Sequence, residues 1–254
     1  MNDRPNDFLT PLLDNLPTAE NPHLDELVAS IGDCVPDHAT TQLEAFEHAA
    51  TLVPRTGEFR VLDLGSGFGK TKAQFETLSP GLRWNGVDIA RRWDRRDRPL
   101  ARASRKYNGV RIPFRRNTFD MVFSKQVFEH VRHPEPLLRD IRRVLKPGGV
   151  FVGSVSCMEP FHMASMFCFS PHGWKTINAD AGLEVTFLAS GIDALSLGLW
   201  HFNRDARQGR PFKNSNLNIA IDALAERGDM DWRRANVLKV LHAGQMIFTA
   251  QKAY

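Results

Sequence analysis

The 254-residue sequence predicts an α/β fold: a mostly parallel, seven-stranded sheet flanked by helices, with an N-terminal helical arm and a helical insertion before the last strand. Three observations predict it. Short runs of apolar and β-branched residues alternate with helix-length amphipathic segments at the spacing of strand–helix–strand crossovers. A glycine-rich turn directly follows the first of those runs, as at the end of a buried parallel strand. The last two apolar runs are separated by far more chain than a hairpin needs, and helical patterns fill the gap.

In order along the chain, residues 1–22 are rich in Pro, Asn and Asp and read as an irregular arm. Helical patterns follow at 23–32 and 40–52, until Pro54 and Gly57 break the chain ahead of a strand at 59–64. A helix at 70–78 and the turn residues Pro80 and Gly81 lead to a strand at 84–89. A short strand is expected near Val110 and another at 119–124. The segment 136–145 places Leu137, Leu138, Ile141, Val144 and Leu145 on one helical face and stops at Pro147-Gly148-Gly149. Strand 150–156, helix 171–181 and strand 183–189 continue the alternation, and 245–251 closes it. Between the last two strands, 216–227 and 231–242 read as helices. The expected organisation is an arm with helices over 1–56, a sheet core over 57–189, a helical insertion or cap over 190–244 and the final core strand over 245–254.

Composition bounds the class. With 42% hydrophobic and 24% charged residues the chain is an ordinary globular protein. Cys34, Cys157 and Cys168 are too scattered for a disulfide framework or a paired-cysteine metal site and read as small buried hydrophobes. Neither a secretion signal nor a membrane span is expected, so a reducing cytoplasm is the expected compartment. The net charge of +4 is unevenly spread: residues 91–116 hold eleven Lys or Arg against Asp94 and Asp97, a net +9, which leaves −5 elsewhere. That basic segment reads as a solvated surface or a contact for an anionic small molecule ahead of a nucleic-acid surface. Its arginines form no single stripe, and few aromatics, Trp93 and Tyr107 among them, interleave with them.

The stretch Val61-Leu-Asp-Leu-Gly-Ser-Gly-Phe-Gly-Lys-Thr71 is the most informative. A phosphate-binding loop of the GxxxxGK[ST] kind needs a glycine where Leu64 stands, and the dinucleotide fingerprint GxGxxG needs one where Lys70 stands. What the stretch satisfies is acidic-x-Gly-x-Gly-x-Gly, with Asp63, Gly65, Ser66, Gly67 and Gly69 between a strand and a helix. Gly86-Val-Asp88-Ile89 ends the second strand with an acid 25 residues after Asp63. Asn108-Gly109-Val-Arg-Ile-Pro-Phe, Thr118-Phe-Asp-Met-Val, Ser124-Lys125-Gln126-Val-Phe-Glu129-His130 and Leu138-Arg-Asp-Ile-Arg-Arg-Val-Leu-Lys-Pro-Gly-Gly-Val-Phe-Val152 follow in order. Together these motifs, over 59–156, resemble the class I S-adenosylmethionine-dependent methyltransferases, type 11 subfamily. The resemblance implies a Rossmann-like core with S-adenosylmethionine as cofactor. It implies that Asp63 helps hold the cofactor's amino end, that Asp88 with Ile89 receives the ribose, and that Asn108 and Gly109 lie at the adenine. In place of the family's usual acid, Asn108 offers a carbonyl acceptor. Ser66, Ser124, Lys125 and Gln126 complete the implied cofactor set.

The acceptor is less defined. Methyl transfer needs in-line placement in a dry pocket and no fixed metal, and no ligand-spaced cluster of His and carboxylates stands out, so no metal is expected. The Asn/Asp-Pro-Pro-aromatic signature of amide methylases and a Pro-Cys for cytosine chemistry are both lacking after the fourth strand. For a hydroxyl acceptor the candidate bases are His130, after the fourth strand, and His162, after the fifth, ahead of His133, His172 and His201. The aromatics Phe161, Phe167, Phe169 and Trp174 read as pocket lining or as core. The chain from Glu159 to Val185 resembles bacterial members that modify carbohydrates and natural products. The expectation is O-methylation of a small molecule or saccharide. An RNA methyltransferase using the basic segment and a non-catalytic cofactor-binding module remain as alternatives.

Overall fold

A computed structural model of the chain describes residues 22–89, 104–159, 165–202 and 215–254. Seven strands form one sheet: β1 (Phe59–Leu64), β2 (Leu82–Ile89), β3 (Ser104–Tyr107), β4 (Phe119–Lys125), β5 (Leu145–Ser156), β6 (Leu183–Ser190) and β7 (Gln245–Lys252). Their order is β3-β2-β1-β4-β5-β7-β6. All pairings are parallel except those of β7, which is antiparallel to both β5 and β6. The eight α-helices of the described residues are α1 (Pro22–Ile31), α2 (Ala45–Thr51), α3 (Lys70–Glu76), α4 (Pro134–Val144), α5 (Pro171–Asp180), α6 (Ala194–Phe202), α7 (Asn216–Glu226) and α8 (Trp232–Leu241).

The central strands bury both faces, and alternate residues of β1 divide between two cores. Val61 packs with Phe75 of α3 and Ala45 and Ala49 of α2, while Leu62 and Leu64 pack with Leu137, Leu138 and Ile141 of α4. The apolar stripe read from the sequence of α4 is thus its buried face. Trp174 of α5 is fully buried among Phe128, Phe151, Phe169 and Phe248, so it belongs to the core and lines no pocket.

Three elements differ from expectation. The third strand lies at Ser104–Tyr107, ahead of Val110, because Asn108 turns the chain: its Oδ1 accepts from the N–H groups of Val110 and Arg111, and Gly109 takes φ +84°. The fifth strand begins at Leu145, which pairs with Phe119; the ladder then resumes at Met121 and Val150, and Lys-Pro-Gly-Gly bulges between them. An unforeseen helix, α6, starts directly after β6.

The insertion folds back onto the body. Asn236 of α8 donates to the carbonyls of Pro36 and His38 at 3.0 and 2.8 Å, Lys239 donates to that of Thr40, and Arg234 pairs with Asp25 of α1. Helix α8 also packs on β6, so this part of the insertion flanks the sheet. Cys34 and Cys157 are buried as expected, whereas Cys168 is exposed: it sits in the segment that leaves the core after β5.

Candidate active site

Strand order reverses at β1 and β4, whose following helices go to opposite faces of the sheet, and in open α/β sheets the ligand crevice lies at the carboxyl ends of the strands at such a switch point. The first wall of the crevice is the glycine turn. Gly65, Gly67 and Gly69 have φ of +76°, +51° and +72°, where a side chain is strained. A Cβ on Gly65 would lie 2.4 Å from Val127 Cγ2, so the turn presses against the chain leaving β4.

The turn's own donors decide what it can hold. Gly65 and Ser66 donate N–H to Val87 O at 2.8 and 3.1 Å, Gly67 to Asp88 Oδ2 at 2.7 Å, and Gly69 to Ser66 O at 2.8 Å. A phosphate cradle needs such groups free to face the ligand. Here all four are satisfied within the protein, so the geometry agrees with the failed phosphate-loop and dinucleotide spacings.

The other predicted cofactor residues fall around this turn. Asp63 is 3% exposed, beneath the turn, and accepts from the Thr71 hydroxyl. Burial pushes its carboxyl up to about 7, with the charge of Asp88 adding to the effect. Asp88 is half-buried at the end of β2, fixed through Oδ2 by the Gly67 N–H. Ile89 is half-buried, and a Cβ on Gly109 would touch its Cγ2 at 3.7 Å, which places these two predicted residues side by side. Ser66 contacts Ser104 Oγ at 3.1 Å. Asn108 is exposed and its Oδ1 already holds two backbone N–H groups. The oxygen expected to face adenine therefore shapes the turn, and its side-chain NH2 is the group left to point outward. At β4, Ser124 is fully buried and Lys125 exposed.

Behind the 108–114 loop stands a clasp that sequence reasoning missed. Asp140 of α4, 6% exposed, accepts from Arg143 Nε at 2.6 Å, Arg111 Nη1 at 2.8 Å and the Ile112 N–H at 2.6 Å. These charge-assisted bonds hold its carboxyl below the ordinary range despite burial. Arg143 also donates to the carbonyls of Phe114 and Ile112. The Asp-Ile-Arg-Arg order in α4 was the available signal. In the basic segment, 91–103 lies outside the described residues; of the rest, Arg111 serves this clasp and Arg105 stacks over Phe114 at 4.6 Å.

The second wall is the chain after β4 and β5. Gln126, with φ +53°, follows β4 and leads into a 3-10 turn, Phe128–His130. The His130 side chain is 12% exposed, with Nε2 3.8 Å from Glu129 Oε1. His162 and Phe161 lie outside the described residues, as does the side chain of His201. His133 is exposed at the start of α4, and His172, in the first turn of α5, is bonded to Ser30 of α1 at 2.6 Å. Gln126, implied by its motif as a cofactor residue, turns its amide to Ser154, Ser156 and the two glutamates Glu129 and Glu159. Serines closing an otherwise apolar strand, and an acid directly before His130, were the sequence signals for this group. Among the described residues no three His, Cys, Asp or Glu side chains are grouped to hold a metal, and no helix is long and apolar enough to cross a membrane.

The sheet order and its flanking helices form a Rossmann-like fold of the kind found in methyltransferases. Residues 62–153 match the type 11 family model, described as a methyltransferase domain. Among curated proteins the chain is 32% identical over 142 residues to a ubiquinone biosynthesis O-methyltransferase of Roseobacter denitrificans, covering 51% of this chain and 54% of that one. The chain thus spans about half the length of the curated relatives it matches. Among solved structures it resembles a complex of the Haloferax volcanii Trm112 methyltransferase activator with a putative methyltransferase (TM-score 0.53, 23% identity, 83% of this chain and 89% of that one). It also resembles the [4+2]-cyclase SpnF (0.50, 19%, 91% and 92%). These likenesses establish the fold. The cofactor that goes with this domain is S-adenosylmethionine. The residues present fit it: Asp88 is anchored through one oxygen, and the turn offers close backbone approach without demanding a phosphate.

Proposed function

We propose that the protein transfers the methyl group of S-adenosylmethionine to a hydroxyl of a small molecule. The observation that carries this reading is the glycine turn, in which the N–H groups of Gly65, Ser66, Gly67 and Gly69 have partners within the protein while Asp88 is presented beside it. In this reading Asp88 accepts the ribose hydroxyls and Ile89 with Gly109 flanks the adenine. Asp63, beneath the turn, is the acid assigned to the amino end. When bound, the cofactor supplies an electrophilic methyl on a sulfonium. The chain's own residues then exclude water, align the acceptor oxygen and take its proton, His130 being the candidate base.

An apolar acceptor is favoured by the rim of this edge. Phe68 after β1, Met158 after β5, Met166 and Phe167 bonded to the Glu129 carbonyl, and Leu195 and Leu199 on α6 are all between 38% and 62% exposed. A hydroxylated ring or chain suits that rim better than a saccharide, and the name of the Roseobacter denitrificans relative points the same way.

Calorimetric titration with S-adenosylhomocysteine, beside ATP with magnesium and NAD, tests the donor half. Micromolar binding of the first alone is expected, about −8 kcal/mol. Asp88→Ala should weaken it about a hundredfold, the loss of two hydrogen bonds to a charged acceptor. Binding of ATP or NAD instead, or of nothing, overturns the proposal. Labelled methyl transfer to alkyl phenols but not to sugars tests the acceptor half; the reverse pattern returns the saccharide reading.

A further inference from the structure

Glu129 is fully buried and takes no part in the functions assigned above. It occupies the 3-10 turn immediately after β4, its carbonyl accepts from the N–H groups of Met166 and Phe167, and its Oε1 is 3.8 Å from His130 Nε2. Across from it, Glu159 follows β5 and accepts from Ser156 Oγ at 2.6 Å and from Gln245 Nε2 of β7 at 3.1 Å. Gln126 stands between the two acids. Its amide orientation follows from its surroundings, since an oxygen facing carboxylates would repel them. With the nitrogen toward the acids, it donates to Glu129 Oε1 at 2.9 Å and Glu159 Oε2 at 2.8 Å, and its oxygen accepts from Ser154 Oγ at 3.2 Å. One amide therefore ties together the chain ends after β4 and β5. The left-handed backbone of Gln126 costs about 1 kcal/mol in a non-glycine residue, a cost more in keeping with a fixed site than with a passive turn.

We infer that Glu129, held by the Gln126 bridge to Glu159, is a positioning residue that sets the orientation and charge of the His130 imidazole on the acceptor side. The inference rests on the methyl-transfer reading above. In the step it serves, the acceptor's O–H bond breaks, its proton passes to the imidazole, and the oxygen's electron pair forms the new bond to the methyl as the methyl–sulfonium bond breaks, its electron pair staying on the sulfur of the departing S-adenosylhomocysteine. The imidazolium then faces the Glu129 carboxylate and later returns its proton to solvent. Groups facing Glu129 are His130 on its own turn, Glu159 beyond β5, and Cys168 of the overlying segment, whose thiol burial pushes up with the two acids adding to the effect. Burial, with the charge of Glu159 adding, brings Glu129 up to about 7, where it exchanges protons in the same range as a histidine.

The test needs no acceptor. The whole chain with ring-labelled histidine is titrated by NMR, with His130→Gln assigning the signal, and S-adenosylhomocysteine binding is measured on the same samples. Glu129→Gln should lower the proton affinity of His130 about tenfold, as loss of a carboxylate within 4 Å does. Glu159→Gln should move it the other way, because Glu129 then ionises more readily. If Glu129→Gln does not fold, Glu159→Gln alone decides. A His130 midpoint unmoved in folded variants that still bind S-adenosylhomocysteine marks the network as structural and overturns the inference. Wild-type protein that binds no S-adenosylhomocysteine overturns the methyl-transfer reading and the inference with it.

Discussion

The two walls of the crevice are built by opposite means. On the side of the glycine turn, from β1 to the Asp140 clasp, each key group has a backbone partner, Val87 O for Gly65 and Ser66, Gly67 N–H for Asp88 and Ile112 N–H for Asp140, with side-chain bonds from Thr71, Arg111 and Arg143 added to them. On the acceptor side, side chains satisfy one another across three strand ends, with Gln126, Glu129, Ser156, Glu159 and Gln245 drawn from β4, β5 and β7. Backbone-fixed geometry suits a ligand that does not vary. A side-chain network can be re-cut by substitution without moving a strand, which suits the half of the site that differs between enzymes of one fold.

The comparison can be broken most forcefully at Asp140. Asp140→Ala leaves Arg143, 18% exposed, without its carboxylate and the Ile112 N–H without an acceptor. A loss of about 3 kcal/mol in chemical denaturation is expected, together with weaker S-adenosylhomocysteine binding, since the 111–114 loop loses its anchor. A variant of unchanged stability would mean that the clasp does not hold the cofactor wall. Gly65→Ala is next: the strained φ and the 2.4 Å approach to Val127 should cost about 2 kcal/mol and separate the two walls. An Ala variant as stable as the parent would show that the turn is free to move.

A third test distinguishes the walls by pH. Asp63 and Glu129 each titrate near 7 in the fold, against about 4 when unfolded. Native protein therefore binds protons more strongly than the unfolded chain. Their contribution to stability is fully present below about pH 4 and is lost as pH rises through about 7. Thermal scans of the ligand-free protein should show that decline, and Asp63→Asn and Glu129→Gln should each flatten part of it. If only Asp63→Asn does so, Glu129 is already ionised and the acceptor wall is wetter than its burial implies.

The wall formed by the glycine turn, which we propose holds the cofactor, was largely legible before any coordinates. Its glycines, Asp63 and Asp88 are local: each sits at a fixed offset from a strand end, and a βαβ unit brings those offsets together. The strand near Val110 was misplaced because Asn108 had been read for a ligand role, and its Asx turn moved the strand to Ser104–Tyr107. Helix α6 was missed because Leu195, Leu199 and Trp200 leave it without a clean polar face. The Lys146–Gly149 bulge depends on pairing with Phe119, which no local window contains.

By itself the sequence determined the layer order, the nature of the cofactor turn and the buried faces of the helices, because hydrophobic period and turn chemistry act over a few residues. Only the tertiary structure decided that Trp174 is core, that Arg111 answers to Asp140, and that Gln126 joins Glu129 to Glu159. Those partners are separated by tens of residues. Burial and proton affinity depend on what the folded chain brings within 4 Å, and no spacing along the sequence encodes that distance.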